Sequence, residues 1–332
     1  MGARWNSRDW GRAAGCILRS MEDLIPLGKT DIRISPVGLG TWQWGDRMMW
    51  SYGATHTDRD IHDAFRKSLE GGINFFDTAE VYGKGRSEVL LGECLREMPP
   101  ARSGVPMVVA TKFAPLPLRL RRGALVKALR ASLARLRLDR VDLYQIHFPF
   151  SMVPLPVWAN ALADAVEAGL TRSVGVSNYS AAQMRQAHEV LSRRGIPLAS
   201  NQVEYHLLKR KVERNGVLQC CRELGVTLIA YSPLAKGLLT GKYTPENRPP
   251  GMRKYTVRSG KLTSIQPLLG LMREVGQAHE GKSSAQVALN WLMCKGTVPI
   301  PGAKNAHQAQ ENAVATGWRL DAAEIAALDE MS

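Results

Sequence analysis

Short apolar runs alternate with amphipathic stretches of helical period along most of the chain, a pattern that predicts β-strands separated by α-helices. Strands are expected at 37–42, 74–78, 106–111, 141–147, 173–177, 199–203, 227–232 and 297–300. Helices are expected at 58–71, 86–97, 123–136, 155–168, 180–193, 213–223, 283–294 and 305–315, with an extra helix at 264–280 inside the seventh connection. The strand segments are almost continuously apolar, as strands covered on both faces are, so parallel pairing follows. Eight such units predict closure into an α/β (β/α)8 TIM barrel, with a doubly wound open sheet as the competing arrangement. Ahead of it, residues 24–35 alternate around Gly28-Lys29-Thr30-Asp31 and read as a small β-hairpin.

A parallel barrel carries its active site at the C-terminal ends of its strands, so the polar residues that end the apolar runs come into question. They are Asp77, Lys112, His147, Ser177 with Asn178, Gln202, and Tyr231 with Ser232. Tyr82 returns five residues after Asp77 and reads with it as half of an acid catalyst. Any one of these residues alone reads as a rim residue bonding the barrel edge. A lysine, an aspartate and a histidine facing one mouth are costly to bury unless the charges are paired and used. The segment Ala235 to Leu262, rich in glycine, proline and basic residues, is too long for a plain connector and reads as a lid or a clasp on a cofactor. Gly38-Leu39-Gly40 lacks the third glycine of a dinucleotide fingerprint. Residues 237–242 lack the first glycine and the Ser or Thr of a phosphate loop, and the histidines have no metal-ligand spacing.

These residues carry a family likeness. Asp77-Thr78-Ala79-x-x-Tyr82-Gly83, Thr111-Lys112, the run 143–147, Gly175-Val176-Ser177-Asn178, the run 231–234 and Pro299 to Lys304 with Gln308, Glu311 and Asn312 resemble the aldo-keto reductases. Within that family the chain is most similar to bacterial and plant-plastid members of the pyridoxal-reductase-like kind. The resemblance implies a reductase that transfers hydride from NADPH to an aldehyde or ketone. Tyr82 would be the proton donor, Lys112 and Asp77 its supporting ion pair, and His147 the group orienting the carbonyl. Ser177, Asn178 and Gln202 would hold the nicotinamide carboxamide, and Tyr231 would stack on its ring. Ser232, Leu234 and Lys242 would meet the pyrophosphate, Lys304 and Gln308 at the start of the last helix the 2′-phosphate, and Glu311 and Asn312 the adenine. Gly40, Thr41, Trp42 and Gly302 are carried over as further cofactor contacts. A tyrosine has a pKa of about 10, and a close cation is expected to bring it down. Met48, Met49, Trp50 and Tyr52 are expected to form an apolar wall of the pocket. The rival implied activity is a cofactor-binding regulatory subunit similar to those of potassium channels, against which His147 weighs.

Composition changes this picture little. With 332 residues, 45% of them hydrophobic, the chain is long enough for one large barrel domain, taken as 21–332. The formal charge of +14 invites a nucleic-acid reading. Arg119, Arg121, Arg122, Arg130, Arg135, Arg137 and Arg140 flank or lie on one amphipathic helix, which reads instead as a solvated face. Five cysteines are odd in number and sparse, which speaks against a disulfide framework and for a reducing compartment. Residues 1–20 set Arg4, Arg8, Arg12 and Arg19 against Asp9 alone. They read either as a transit-like leader or, preferably, as the product of an upstream start with Met21 opening the protein. A cytoplasmic reductase of small-molecule carbonyls follows, plastid-located if the leader is real, without nucleic-acid, membrane or metal partners, as a monomer or weak homo-oligomer.

Overall fold

Side chains along each strand alternate between two surroundings, and this alternation builds the molecule. The computed structural model describes residues 23–98, 106–149, 152–249, 257 and 259–332. The hairpin pairs β1 (Ile25–Pro26) with β2 (Arg33–Ile34), Ile25 opposite Ile34. Then come the parallel strands β3 (Leu39–Gly40), β4 (Phe75–Asp77), β5 (Val108–Phe113), β6 (Val141–Ile146), β7 (Thr171–Ser177), β8 (Leu198–Glu204), β9 (Thr227–Tyr231) and β10 (Val298–Ile300). Each pairs with the next in chain order. The ring is closed between its last and first members. The Gly38 N–H donates to Pro299 O at 2.9 Å and the Gly40 N–H to Pro301 O at 3.0 Å, and Gly40 bridges Gly302. The fold is the (β/α)8 barrel expected from the sequence, with the expected hairpin, and the open sheet is excluded.

The connecting helices are α1 (Asp58–Glu70), α2 (Arg86–Glu97), α3 (Gly123–Leu136), α4 (Leu155–Glu167), α5 (Ala181–Ser192), α6 (Lys211–Arg214), α7 (Val217–Leu224), α8 (Ser259–Ser264), α9 (Gln266–Ala278), α10 (Ser284–Cys294), α11 (Ala306–Ala313) and α12 (Ala322–Glu330). Thr57, Ser180, Ser283 and Asp321 start α1, α5, α10 and α12 with capping boxes, whose reciprocal side-chain bonds satisfy backbone N–H groups the first turn leaves unpaired. The helix expected over 213–223 is two pieces, because Gly216 takes a left-handed φ of +80° between them. The extra helix expected at 264–280 is preceded by the short α8.

Outward residues such as Phe76, Val109, Phe113, Tyr144 and Ile146 pack in the large core beneath the helices. Inward residues Phe75, Val108, Ala110, Leu143, Ile229 and Val298 fill the barrel axis together with Leu27, Ile32 and Ile34 of the hairpin. The hairpin therefore stoppers the N-terminal end of the barrel. Each buried Val, Leu, Ile or Phe side chain among these contributes roughly 1.5–3 kcal/mol of apolar burial. Gly28 turns the hairpin at φ +58°, and a Cβ there would lie 2.5 Å from Ala199 O, so no larger residue fits. With one end sealed, ligands can enter only at the C-terminal mouth.

Two sequence expectations change in the folded chain. Of the arginines at 119–140, Arg121, Arg122, Arg130, Arg137 and Arg140 are exposed as expected, and two turn inward. Arg135 pairs through Nε with the fully buried Glu88 at 2.6 Å, and Arg119 pairs with Glu80. The strand expected to end before Lys112 runs on to Phe113, and Lys112 lies inside the barrel instead of at its rim. Residues 1–20, and 250–256 and 258 of the glycine- and proline-rich loop, lie outside the described residues.

Candidate active site

The period of two that seals the bottom of the barrel also builds its floor at the top. In β4, Phe75 faces the axis and so does Asp77; in β5, Val108 and Ala110 face it and so does Lys112; in β6, Leu143 faces it and so does Gln145. Lys112 stands beside Gln145 in the parallel register. A polar layer thus rests directly on an apolar one.

Asp77 and Lys112 are almost completely buried, at 1% and 0% exposure. Such charges persist only when bonded on all sides, and these are. Lys112 Nζ donates to Asp77 Oδ1 at 2.5 Å, to Thr78 O at 2.8 Å and to Tyr82 Oη at 3.4 Å. Asp77 Oδ2 accepts from Gln202 Nε2 at 2.9 Å and from Gln145 Nε2 at 3.2 Å. Burial alone would lower the Lys112 pKa, but the carboxylate of Asp77 and the Tyr82 hydroxyl outweigh it and hold the ammonium above its ordinary value. The lysine is therefore a fixed positive charge.

Tyr82 sits in a tight turn, Tyr82–Gly85, between β4 and α2, with Gly83 and Lys84 both left-handed at φ +54° and +56°. A Cβ on Gly83 would meet the Gly45 backbone at 2.8 Å, so this turn packs directly on the loop after β3. Burial pushes the Tyr82 pKa up, Lys112 pulls it down and Asp77 adds to the rise; the net direction is upward. This corrects the expectation of a lowered value. The cation is present, but in the protein alone it does not overcome desolvation and the neighbouring carboxylate. Tyr82 is accordingly held as a protonated phenol.

His147 follows β6 with its ring 5.7 Å from that of Tyr82, edge to face, and stacked on Phe148 at 4.1 Å. Burial, seconded by Lys112, lowers its pKa to about 3, so the imidazole is neutral. Its Nδ1 is buried without a hydrogen-bond partner.

These groups open into a cavity of about 940 Å³ at the C-terminal mouth. Asp77, Tyr82 and His147 line it, Lys112 lies beneath, and Gly40, Thr41, Trp42, Ser177, Asn178, Gln202, Tyr231, Ser232, Leu234, Lys242, Gly302, Lys304, Gln308, Glu311 and Asn312 all line it. Asn178 Nδ2 donates to Ser177 Oγ at 3.0 Å and to His147 O at 3.2 Å, and Tyr231 Oη donates to Asn178 Oδ1 at 3.0 Å, which fixes that corner as one unit. Lys304 Nζ bonds Trp50 O at 3.0 Å and lies 5.1 Å from the Trp50 ring centroid. It lies just ahead of α11, the helix expected at 305–315, and α12 follows. Of the expected apolar wall, Met49 and Trp50 line the cavity. Met48 is 84% exposed, and Tyr52 turns away to bond Asp58.

Sequence reasoning passed over Gln145, Lys236, Val81 and Phe148. Counting back by two from His147 through Gln145 to Leu143 would have found the first. Val81 and Phe148 lie in loops, and Lys236 lies in a short 3-10 turn where its backbone is left-handed, so no period exists to follow.

The barrel is stoppered below, and its mouth brings a protonated phenol to a buried ammonium beside a neutral imidazole. A model of the aldo/keto reductase family matches residues 36–332, and the chain belongs to that family. It is an oxidoreductase of small-molecule carbonyl compounds. It is 44% identical over 298 residues to the chloroplastic pyridoxal reductase of Arabidopsis thaliana, covering 87% of this chain and 80% of that protein. It is 32% identical over 325 residues to the L-glyceraldehyde 3-phosphate reductase of Escherichia coli K12, covering 91% and 90%. Among solved structures, the glycerol dehydrogenase of Gluconobacter oxydans matches with a TM-score of 0.81 at 29% identity, covering 93% of this chain and 94% of that one. A thermostable aldo-keto reductase bound to the inhibitor epalrestat matches at 0.74 and 30%, covering 93% and 99%. No helix among the described residues is long and apolar enough to cross a membrane.

Proposed function

We propose that the protein reduces aldehydes, with NADPH as cofactor and Tyr82 as proton donor. The observation that carries the reading is the Tyr82 hydroxyl 3.4 Å from the buried Lys112 ammonium, on the wall of a cavity that the neutral His147 also lines. A proton donor must be protonated before it acts and tolerable as an anion afterwards. The raised Tyr82 pKa meets the first condition and the fixed charge of Lys112 the second.

The residues present fit a phosphorylated nicotinamide cofactor. The same cavity carries Lys236, Lys242 and Lys304, whose charge suits phosphates, and the amides of Asn178 and Gln202 with the ring of Tyr231 suit a nicotinamide. When bound, that group supplies the hydride. Reduction at the carbonyl carbon gathers negative charge on oxygen, where the Tyr82 hydroxyl and the His147 imidazole offer hydrogen bonds already in place. Ser177, Asn178, Gln202 and Tyr231 hold the nicotinamide, with Gly40, Thr41, Trp42 and Gly302 around it. Ser232, Leu234 and Lys242 take the pyrophosphate, Lys304 and Gln308 the 2′-phosphate, and Glu311 and Asn312 the adenine.

On the acceptor side, Trp42, Met49, Trp50, Val81 and Phe148 suit a flat aromatic aldehyde. The likeness to pyridoxal reductase makes pyridoxal the first substrate to try. The test follows loss of NADPH absorbance with a panel of aromatic and aliphatic aldehydes, pyridoxal included. Turnover with pyridoxal or other aromatic aldehydes is expected; no turnover with any member of the panel would sink the reading.

A further inference from the structure

Glu88 is a fully buried carboxylate that the proposed chemistry does not use. It is the third residue of α2, the helix that begins directly after the Tyr82 turn. Its Oε1 accepts from Thr111 Oγ1 at 2.6 Å and its Oε2 from Arg135 Nε at 2.6 Å. Thr111 is the outward-facing neighbour of Lys112 on β5, and Arg135 lies on α3. One carboxylate therefore ties the helix behind Tyr82 to the strand that carries Lys112.

The preceding residue does the same for the strands on the other side. Ser87, also fully buried, meets Thr41 Oγ1 at 2.7 Å and Thr78 Oγ1 at 2.9 Å, and donates to Thr41 O at 2.9 Å. Thr41 follows β3 and Thr78 follows Asp77 at the end of β4, and Thr41 Oγ1 in turn reaches Asp77 O at 3.1 Å. Two consecutive side chains in the first turn of α2 thus grip the C-terminal ends of β3, β4 and β5. Between them lies the Tyr82 turn, with left-handed backbone at Gly83 and Lys84 and the N–H groups of Tyr82 and Lys84 donating to Ala79 O at 3.0 Å and Val81 O at 3.2 Å.

An acid in the first turn of a helix is favoured by the helix dipole alone, and that would be satisfied by a solvated side chain. Complete burial of a carboxylate is not needed for it and costs several kcal/mol unless repaid by bonds. The bonds made here point to neighbours of the site: Thr111 beside Lys112, and through Ser87 the residues flanking Asp77.

We propose that Glu88 and Ser87 are positioning residues that set the contact between Tyr82 and Lys112, acting through Thr111 on one side and through Thr41 and Thr78 on the other. The proposal rests on Tyr82 being the proton donor. Their loss would lengthen the 3.4 Å contact that makes the phenol useful. Displacements of about 1 Å at a reacting group cost on the order of 100-fold in rate.

Thr111 permits a test in which packing and hydrogen bonding predict opposite orders. Thr111→Val keeps the shape of the side chain and removes the hydroxyl; Thr111→Ser keeps the hydroxyl and removes a methyl. If Glu88 positions the site, T111V lowers kcat with aldehyde roughly tenfold or more, with KM and the Kd of NADPH within about twofold of wild type, and T111S retains most of kcat. If Thr111 matters only as core filling, T111S is the more impaired of the two, and the proposal is overturned. It is equally overturned if T111V has wild-type kcat, or loses kcat only in step with NADPH binding. Should T111V fail to fold, Ser87→Ala is read by kcat against the Kd of NADPH: a kcat loss larger than the change in Kd supports positioning, and a kcat unchanged or lost only in step with Kd refutes it. Tyr82→Phe run alongside keeps the two claims apart. Turnover surviving in Tyr82→Phe refutes the proton-donor reading itself, whereas turnover lost there but kept in T111V refutes positioning alone.

Discussion

Lys112→Met is the perturbation whose consequences can be worked furthest. Methionine has nearly the length and volume of lysine, so the change removes the charge and its donors with little loss of packing. Three bonds disappear, to Asp77, Thr78 O and Tyr82. Asp77 is then a buried carboxylate held only by Gln145 and Gln202. Removing one member of a buried ion pair costs roughly 3–5 kcal/mol, because the other is left uncompensated. Replacing both members with neutral residues avoids that penalty. In Asp77→Asn with Lys112→Met, the asparagine oxygen still accepts from the two glutamines, and the remaining defects are the unpaired Thr78 carbonyl and the asparagine Nδ2, each worth about 1–3 kcal/mol. The double variant should therefore be no less stable than K112M alone, although it carries one more substitution. Urea unfolding followed by the fluorescence of the tryptophans measures this, and aldehyde-dependent NADPH oxidation should be lost in both variants. Strictly additive losses, or a K112M cost below about 1 kcal/mol, would refute the account of Lys112 as a buried charge held by Asp77.

Two further outcomes follow from the site. Lys304→Ala should weaken NADPH at least tenfold while changing NADH little, as read by fluorescence titration, because only NADPH carries the phosphate assigned to that lysine; equal losses for both cofactors would remove the assignment. His147 is depressed to about 3 in the folded chain against about 6.5 when unfolded, so below pH 6.5 the unfolded state binds a proton that the folded state does not. Stability from this residue is thus present above pH 6.5 and lost as pH falls toward 3, at up to roughly 1.4 kcal/mol per pH unit. His147→Gln should flatten the pH dependence of stability in that window, and superimposable curves for the two proteins would contradict a neutral, buried imidazole.

The sequence revealed the barrel because its strands are covered on both faces and its helices on one, so apolar runs and helical periods alternate without ambiguity. It revealed Asp77 and His147 because an apolar run that stops at a charged or polar residue is a local signal. Lys112 was found by the same signal but placed at the rim, since a run ending in Thr-Lys-Phe does not say that the strand continues through it. The helix break at Gly216 was hidden because Val212, Val217 and Leu218 keep an apolar face across the kink. What joins the site together was not legible at all. Gln202 meets Asp77 across 125 residues and Glu88 meets Arg135 across 47, and no local pattern records such pairings. The direction of the Tyr82 pKa was misread for a related reason: the cation could be read from the chain, whereas the desolvation opposing it is a property of the assembled cavity.

The central claim is that Tyr82, on Lys112, delivers the proton when NADPH reduces a carbonyl. A single-turnover stopped-flow measurement tests it most directly: protein preloaded with NADPH is mixed with pyridoxal, and decay of the cofactor absorbance is followed for wild type and Tyr82→Phe. The account predicts unchanged NADPH affinity and a transfer rate lowered by roughly 100-fold to 10,000-fold in the variant. A transfer rate for Tyr82→Phe equal to that of wild type would contradict it.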